Sequence, residues 1–117
     1  LALAGGVIVN IADIHAERPL KGYVVYSIAK SGLVALTRSL ALELAPGVRV
    51  NAVAPGAIAW PEDGQFDPGE RERIVATTPL RRTGNPDEIA QAVHFLCTAP
   101  FVTGQVLAVD GGRSIFL

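Results

Sequence analysis

Two hydrophobic periods alternate along this chain. GVIVNIA (residues 6–12) is a short apolar run rich in β-branched residues. A run that is apolar on both faces predicts a strand buried on both sides, as in a parallel sheet. Residues 13–22 turn polar and hold Pro19 and Gly22, so a loop follows. From about Val24 to Leu44, apolar and small residues recur at Val25, Ile28, Ala29, Gly32, Leu33, Leu36, Leu40 and Leu44. That spacing is helical, and Ala45-Pro46-Gly47 ends it. VRVNAVAPG (48–56) predicts a second buried strand, closed by Pro55-Gly56. Residues 57–70, with Pro61, Gly64, Pro68 and Gly69, predict a long loop, and a short helix is expected at about 70–77. NPDEIAQAVHFLC (85–97) carries strong helix signals: Asn85 at the N-cap, Pro86 in the first turn, and Glu88 three residues after the cap. GQVLAVDGG (104–112) predicts a third strand, ended by Asp110 and two glycines.

The predicted order is strand, helix, strand, helix, strand. Consecutive parallel strands need helical crossovers, so this is an α/β chain built as one βαβαβ unit. A doubly wound nucleotide-binding sheet contains two such halves, and this sequence supplies one. No G-x-G-x-x-G phosphate turn follows the first strand or occurs elsewhere in the chain.

Composition narrows the function classes. The 117 residues are enough for one small domain, and half of them are hydrophobic. Ten basic and eleven acidic residues are mixed along the chain, for a net charge of −1. No basic stripe points to nucleic acid. No apolar run reaches the roughly 18–20 residues of a membrane span. A single cysteine, Cys97, excludes an internal disulfide and fits a reducing, cytoplasmic setting. LALAGGVIVNIA at the start lacks the charged flank of a signal peptide, so it is expected to be part of the fold. The chain has no methionine and opens in mid-pattern, so upstream sequence is expected to be missing from it.

Candidate chemistry centres on YSIAK. Tyr26 and Lys30 are four residues apart and share one helical face near its N-terminus. A nearby ammonium and the positive end of the helix dipole both favour the phenolate, so this pairing predicts a lowered tyrosine pKa. Such a tyrosine is suited to general acid–base work, although an isolated pair at this spacing is more often an ordinary surface pair. Context strengthens it, because sites of open α/β sheets lie at the carboxyl ends of the strands. Asp13 stands just past the first predicted strand, thirteen residues ahead of Tyr26, and Pro55-Gly56 stands just past the second. Asp13 reads alternatively as a loop residue making an Asx-turn or a helix cap.

YSIAKSGLVALTRSLALELAPGVRVNAVAPGAI, PLRRTGNPDEIAQAVHFL and VTGQVLAVDGG together resemble the C-terminal half of a short-chain dehydrogenase/reductase. The resemblance spans essentially all 117 residues. It implies a Rossmann-like doubly wound parallel sheet of which only the C-terminal βαβαβ half is present. It also implies an NAD(P)H-dependent oxidoreductase. Tyr26 then falls on the catalytic acid/base, and Lys30 on the residue that holds the nicotinamide ribose and tunes the tyrosine. Pro55, Gly56 and Ile58 fall on the segment lining the nicotinamide side of the cofactor.

The family places a serine where Asp13 stands. In this the sequence is similar to the pteridine reductase branch, including the dihydromonapterin reductase type, throughout NIADIHAERPLKGYVVYSIAK and at VDGGRSI. That branch implies NADPH and a pterin or dihydrofolate-type substrate. A pterin reductase must protonate a ring nitrogen, and a carboxyl at position 13, partly buried or kept protonated by its neighbours, can join that relay with Tyr26. The competing readings are another short-chain reductase, of oxoacyl or sugar-alcohol type, and a non-catalytic truncated module with an unpaired edge at strand 6–12.

Lesser expectations complete the reading. Trp60 either covers the substrate or packs. Ser27 contacts substrate or helps start its helix, and Ser31 flanks the pair on the other side. Asn51 bonds neighbouring backbone, His94 lies on a helix face, and Cys97 is core. Arg113 could reach a partner subunit's site. His15 and His94 form no zinc-spaced cluster, so no metal is expected. The small residues Ala29, Gly32 and Ala35 beside the apolar stripe of helix 24–44, together with the family likeness, predict a homo-oligomer.

Overall fold

The computed structural model describes residues 5–58 and 68–115. Three strands form one parallel sheet: β1 (Gly6–Ile11), β2 (Val48–Pro55) and β3 (Val106–Val109), in the order β1-β2-β3. The register pairs Gly6 with Val48 through Ile11 with Val53, and Ala52 with Val106 through Pro55 with Val109. Three helices connect or flank them: α1 (Val24–Leu44), α2 (Pro68–Thr77) and α3 (Pro86–Thr98). This is the doubly wound arrangement expected, with the central strand almost fully buried.

The alternation of side chains along β2 assigns one helix to each face. Val48, Val50, Ala52 and Ala54 pack towards α1, against Val34 and Ala41. Val53 points the other way and packs with Ile89, Ala92 and Leu96 of α3. Asn51, on that same face, is fully buried and satisfied: its Nδ2 donates to the Val102 carbonyl and its Oδ1 accepts from Gln105 N. Its role is structural, as expected.

Element limits follow local chemistry. Ala45 ends α1 in an extended conformation because it precedes Pro46. α3 begins with a full capping box, Asn85 Oδ1 accepting from Glu88 N and Glu88 Oε1 accepting from Asn85 N. β3 is shorter than the predicted 104–112, since Gly104, Gly111 and Gly112 all have positive φ and cannot continue the pleat.

Several packing expectations are corrected. β1 is only half-buried, because among the described residues it pairs on one side alone and stands at the sheet edge. The buried face of α1 consists of Ser27, Val34, Thr37 and Ala41, while Val25 and Ile28 are 80% and 67% exposed. The helix is apolar around more of its circumference than one sheet face can cover. Cys97 is exposed rather than core. Arg113 turns back into its own chain, its Nη1 donating to the Ile74 carbonyl and Thr77 Oγ1 at the end of α2.

Candidate functional site

The site forms where β1 and β2 end and α1 begins. The last β1–β2 pair is Ile11 with Val53, so Asp13, two residues past it, comes level with Pro55, the last residue of β2. Asp13 is extended and caps a 3-10 turn at Ile14–Ala16, its Oδ1 accepting from His15 N at 2.8 Å. Its other oxygen, Oδ2, accepts from the Tyr26 hydroxyl at 2.8 Å. The cap thus fixes the carboxylate that Tyr26 meets.

Tyr26 and Lys30 share the inner side of the first turns of α1. Lys30 Nζ donates to the Ile11 carbonyl at 3.2 Å and lies 5.7 Å from the centre of the Tyr26 ring. The ammonium thus sits over the ring rather than against the hydroxyl. The predicted lowering of the tyrosine pKa is reversed. Burial, then the hydrogen bond to Asp13, then its negative charge push the Tyr26 phenol up to about 12. The Tyr26 residue as a whole is still 40% exposed, so solvent screening tempers the burial effect. The carboxylate in direct contact outweighs the ammonium because hydrogen bonding and charge fall off with distance.

The second segment is tightly held. Gly56 N donates to the Val109 carbonyl at 3.0 Å, and a Cβ on Gly56 would lie 2.7 Å from Asp110 Cβ. Only glycine allows β2 and β3 to end this close together. Ile58 is 4% exposed, and its side chain belongs to the α3-side core with Ile89 and Leu96. Trp60 lies outside the described residues.

The neighbours sort clearly. Ser31 Oγ donates to the Ala16 carbonyl and ties α1 to the 3-10 turn. Ser27 is buried, and its Oγ has no hydrogen-bond partner among the described residues, so it does not cap the helix as expected. His15 Nδ1 is 2.8 Å from the Arg18 carbonyl oxygen. Among the described residues no group of three or more His, Cys, Asp or Glu could hold a metal ion. Tyr23 is a residue the sequence reading missed. It is the exposed N-cap of α1, and its ring meets Tyr26 edge-to-face at 6.1 Å and 75°. The signal was its position three residues before Tyr26, on the same helical face.

Residues 1–114 match the protein family described as enoyl-(acyl carrier protein) reductase. A solved short-chain dehydrogenase/reductase from Brucella melitensis is 39% identical, with a TM-score of 0.86 over 92% of this chain and 44% of its own. The chain belongs to the short-chain dehydrogenase/reductase family. A second family structure, a 7α-hydroxysteroid dehydrogenase with NADH and 7-oxo glycochenodeoxycholic acid, is 37% identical, with a TM-score of 0.88 over 94% of this chain and 45% of its own. Carbonyl reductase family member 4 of Danio rerio is 45% identical over 97% of this chain and 47% of its own length. The chain spans about half the length of the curated relatives it matches. These family members are named for glucose or ribitol, steroid and carbonyl substrates. The finer likeness to pteridine reductases finds no support among them. Among the described residues, no helix is long and apolar enough to cross a membrane.

Proposed function

We propose that the whole protein is an NAD(P)H-dependent short-chain reductase of a small carbonyl substrate, with Tyr26 as proton donor. One observation carries the reading. In a chain of this family, Tyr26, Lys30 and Asp13 meet at the carboxyl end of a parallel sheet, with the Tyr26 residue 40% exposed. The residues present fit the nicotinamide–ribose end of such a cofactor. Lys30 has three N–H donors, of which the Ile11 carbonyl takes one, and the Pro55-Gly56 backbone closes the level opposite. When bound, the nicotinamide supplies hydride. Lys30 would anchor the ribose, and Pro55, Gly56 and Ile58 would border the nicotinamide side. NADPH is the form we propose, from the likeness in sequence. Tyr26, with its phenol pushed up to about 12, stays protonated through neutral pH and holds a proton at Oη.

Asp13 favours a second reading. An ionised carboxylate only accepts hydrogen bonds, whereas a carbonyl oxygen gaining negative charge needs donors. Beside a ring N–H adjacent to a C=N bond, the same carboxylate is well matched. That is the arrangement of a pterin or dihydrofolate-type substrate, reduced with a proton from the Tyr26–Asp13 pair. A cytoplasmic homo-oligomer paired through α1 completes the proposal.

The test is nicotinamide oxidation by the whole protein with a panel of ketones, oxoacyl thioesters and dihydropterins. Tyr26→Phe should lower kcat by about 10²–10⁴-fold with whichever substrate turns over. Asp13→Ser should keep or raise activity on a carbonyl and lose activity on a dihydropterin. Unchanged turnover in Tyr26→Phe would refute both readings.

A further inference from the structure

The turn between α2 and α3 is fastened by an ion pair that neither the helical pattern nor the site explains. Arg82 Nη1 and Nη2 donate to Glu88 Oε1 and Oε2, both at 2.7 Å, a two-pronged grip that fixes orientation as well as distance. The Arg82 guanidinium holds the Glu88 carboxyl down at about 2, helped by the bond from Asn85 N and opposed by burial. Two residues on, Gly84 N donates to the Ala57 carbonyl at 2.9 Å, and Gly84 pairs with Ile58 in a parallel bridge. A Cβ on Gly84 would come within 2.8 Å of Ile58 Cδ1, so the two strands of this bridge are in close contact.

The segment just past β2 is therefore held from two sides: Gly56 by β3, and Ala57 with Ile58 by the turn. Between these supports lies a cavity of about 440 Å³, bordered by Ala57, Leu80, Arg82, Glu88, Asp110 and Gly112. Leu80 N donates to the Gly111 carbonyl at 3.1 Å and Arg81 Nη1 to the Ala76 carbonyl at 2.9 Å, which tie the start of the turn to β3's end and to α2, while the ion pair ties its far end to α3. Arg81, which precedes the pair, has φ 59°, in the region where a non-glycine residue is strained. A strained turn over a cavity moves when its fastening is cut.

We propose that Arg82 and Glu88 are a positioning pair, which sets the placement of the Ala57–Ile58 backbone and through it the grip on the nicotinamide end of the cofactor. The inference rests on the proposed reductase function, which puts the cofactor at this end of β2. In this role Arg82 and Glu88 act through the contact of Gly84 with Ala57 rather than by touching the cofactor.

The experiment uses the whole protein and titrates NADPH and NADH by the fluorescence of the reduced nicotinamide. Arg82→Ala should raise the Kd about fivefold, a weakening of the size expected from losing one exposed, well-aligned ion pair. Arg82→Lys should fall between, because an ammonium keeps the charge but cannot make the two-pronged contact. Asn85→Ala is the control: it removes the cap of the same helix and lowers the thermal midpoint, yet should leave the Kd unchanged. An unchanged Kd in Arg82→Ala overturns the positioning role. So does a Kd in Asn85→Ala that moves as far, since helix stability alone would then explain it. A wild-type protein that binds neither nucleotide overturns the proposed function, and this inference with it.

Discussion

At the scale of the residue, the hold of Tyr26 on its proton depends on surroundings that no spacing in the sequence reveals. Tyr26 and Lys30 were legible because their interval is a helical one. The direction of the pKa shift was not. It is set first by burial and then by Asp13, thirteen residues away, whose Oδ2 accepts from the phenol while Oδ1 is held by His15 N. The sign has a consequence for pH dependence. A phenol raised from 10.0 to about 12 binds its proton more tightly folded than unfolded, so its contribution to stability is complete below pH 10 and is lost as pH rises through about 12. Ultraviolet titration of the whole protein against Tyr26→Phe should show this phenolate forming near 12. In Asp13→Asn the carboxylate charge is gone and the transition should move down towards 10. The alkaline fall in the rate of reduction should shift to lower pH with it. A transition near 10 in the wild type would show that Asp13 does not hold the phenol.

At the scale of the element, the sequence marked limits better than faces. Pro46 stops α1 and Asn85 with Glu88 starts α3 through local hydrogen bonding, which is written in neighbouring residues. Which side of α1 is buried depends on the sheet it meets, and polar Ser27 and Thr37 lie inward while Val25 lies outward. The Arg82–Glu88 pair escaped notice for a similar reason, since the two are six apart and meet across a turn. The close ends of β2 and β3 were legible only as glycines in a row of turn residues. Their structural reason is testable. In Gly56→Ala the added Cβ would lie 2.7 Å from Asp110 Cβ and 2.9 Å from its Cα, so backbone must shift. A destabilisation of about 1–3 kcal/mol is expected, as for overpacking elsewhere, read as a lower denaturant midpoint at unchanged slope. A midpoint equal to wild type would mean that the strand ends separate freely.

At the scale of the whole molecule, the outer side of α1 is the feature that a single sheet leaves unexplained. Val24, Val25, Ile28, Leu36 and Leu42 are all exposed, on a helix that also carries Ala29, Gly32 and Ala35. Apolar surface gathered on one element marks a contact with something else. Small residues beside it let a second helix approach closely, and a second copy of α1 meets both requirements by symmetry. Ile28, 67% exposed and in the half of the helix that carries Tyr26, is the position to disturb. Sedimentation of the whole protein should show a dimer or tetramer, and Ile28→Glu should shift it to a smaller species without loss of helical circular dichroism. The same variant should lose activity in proportion to dissociation, because the start of α1 carries both Tyr26 and Lys30. A wild-type protein that sediments as a single chain would show instead that other segments of the same chain cover this face, and Ile28→Glu would then unfold it rather than split it.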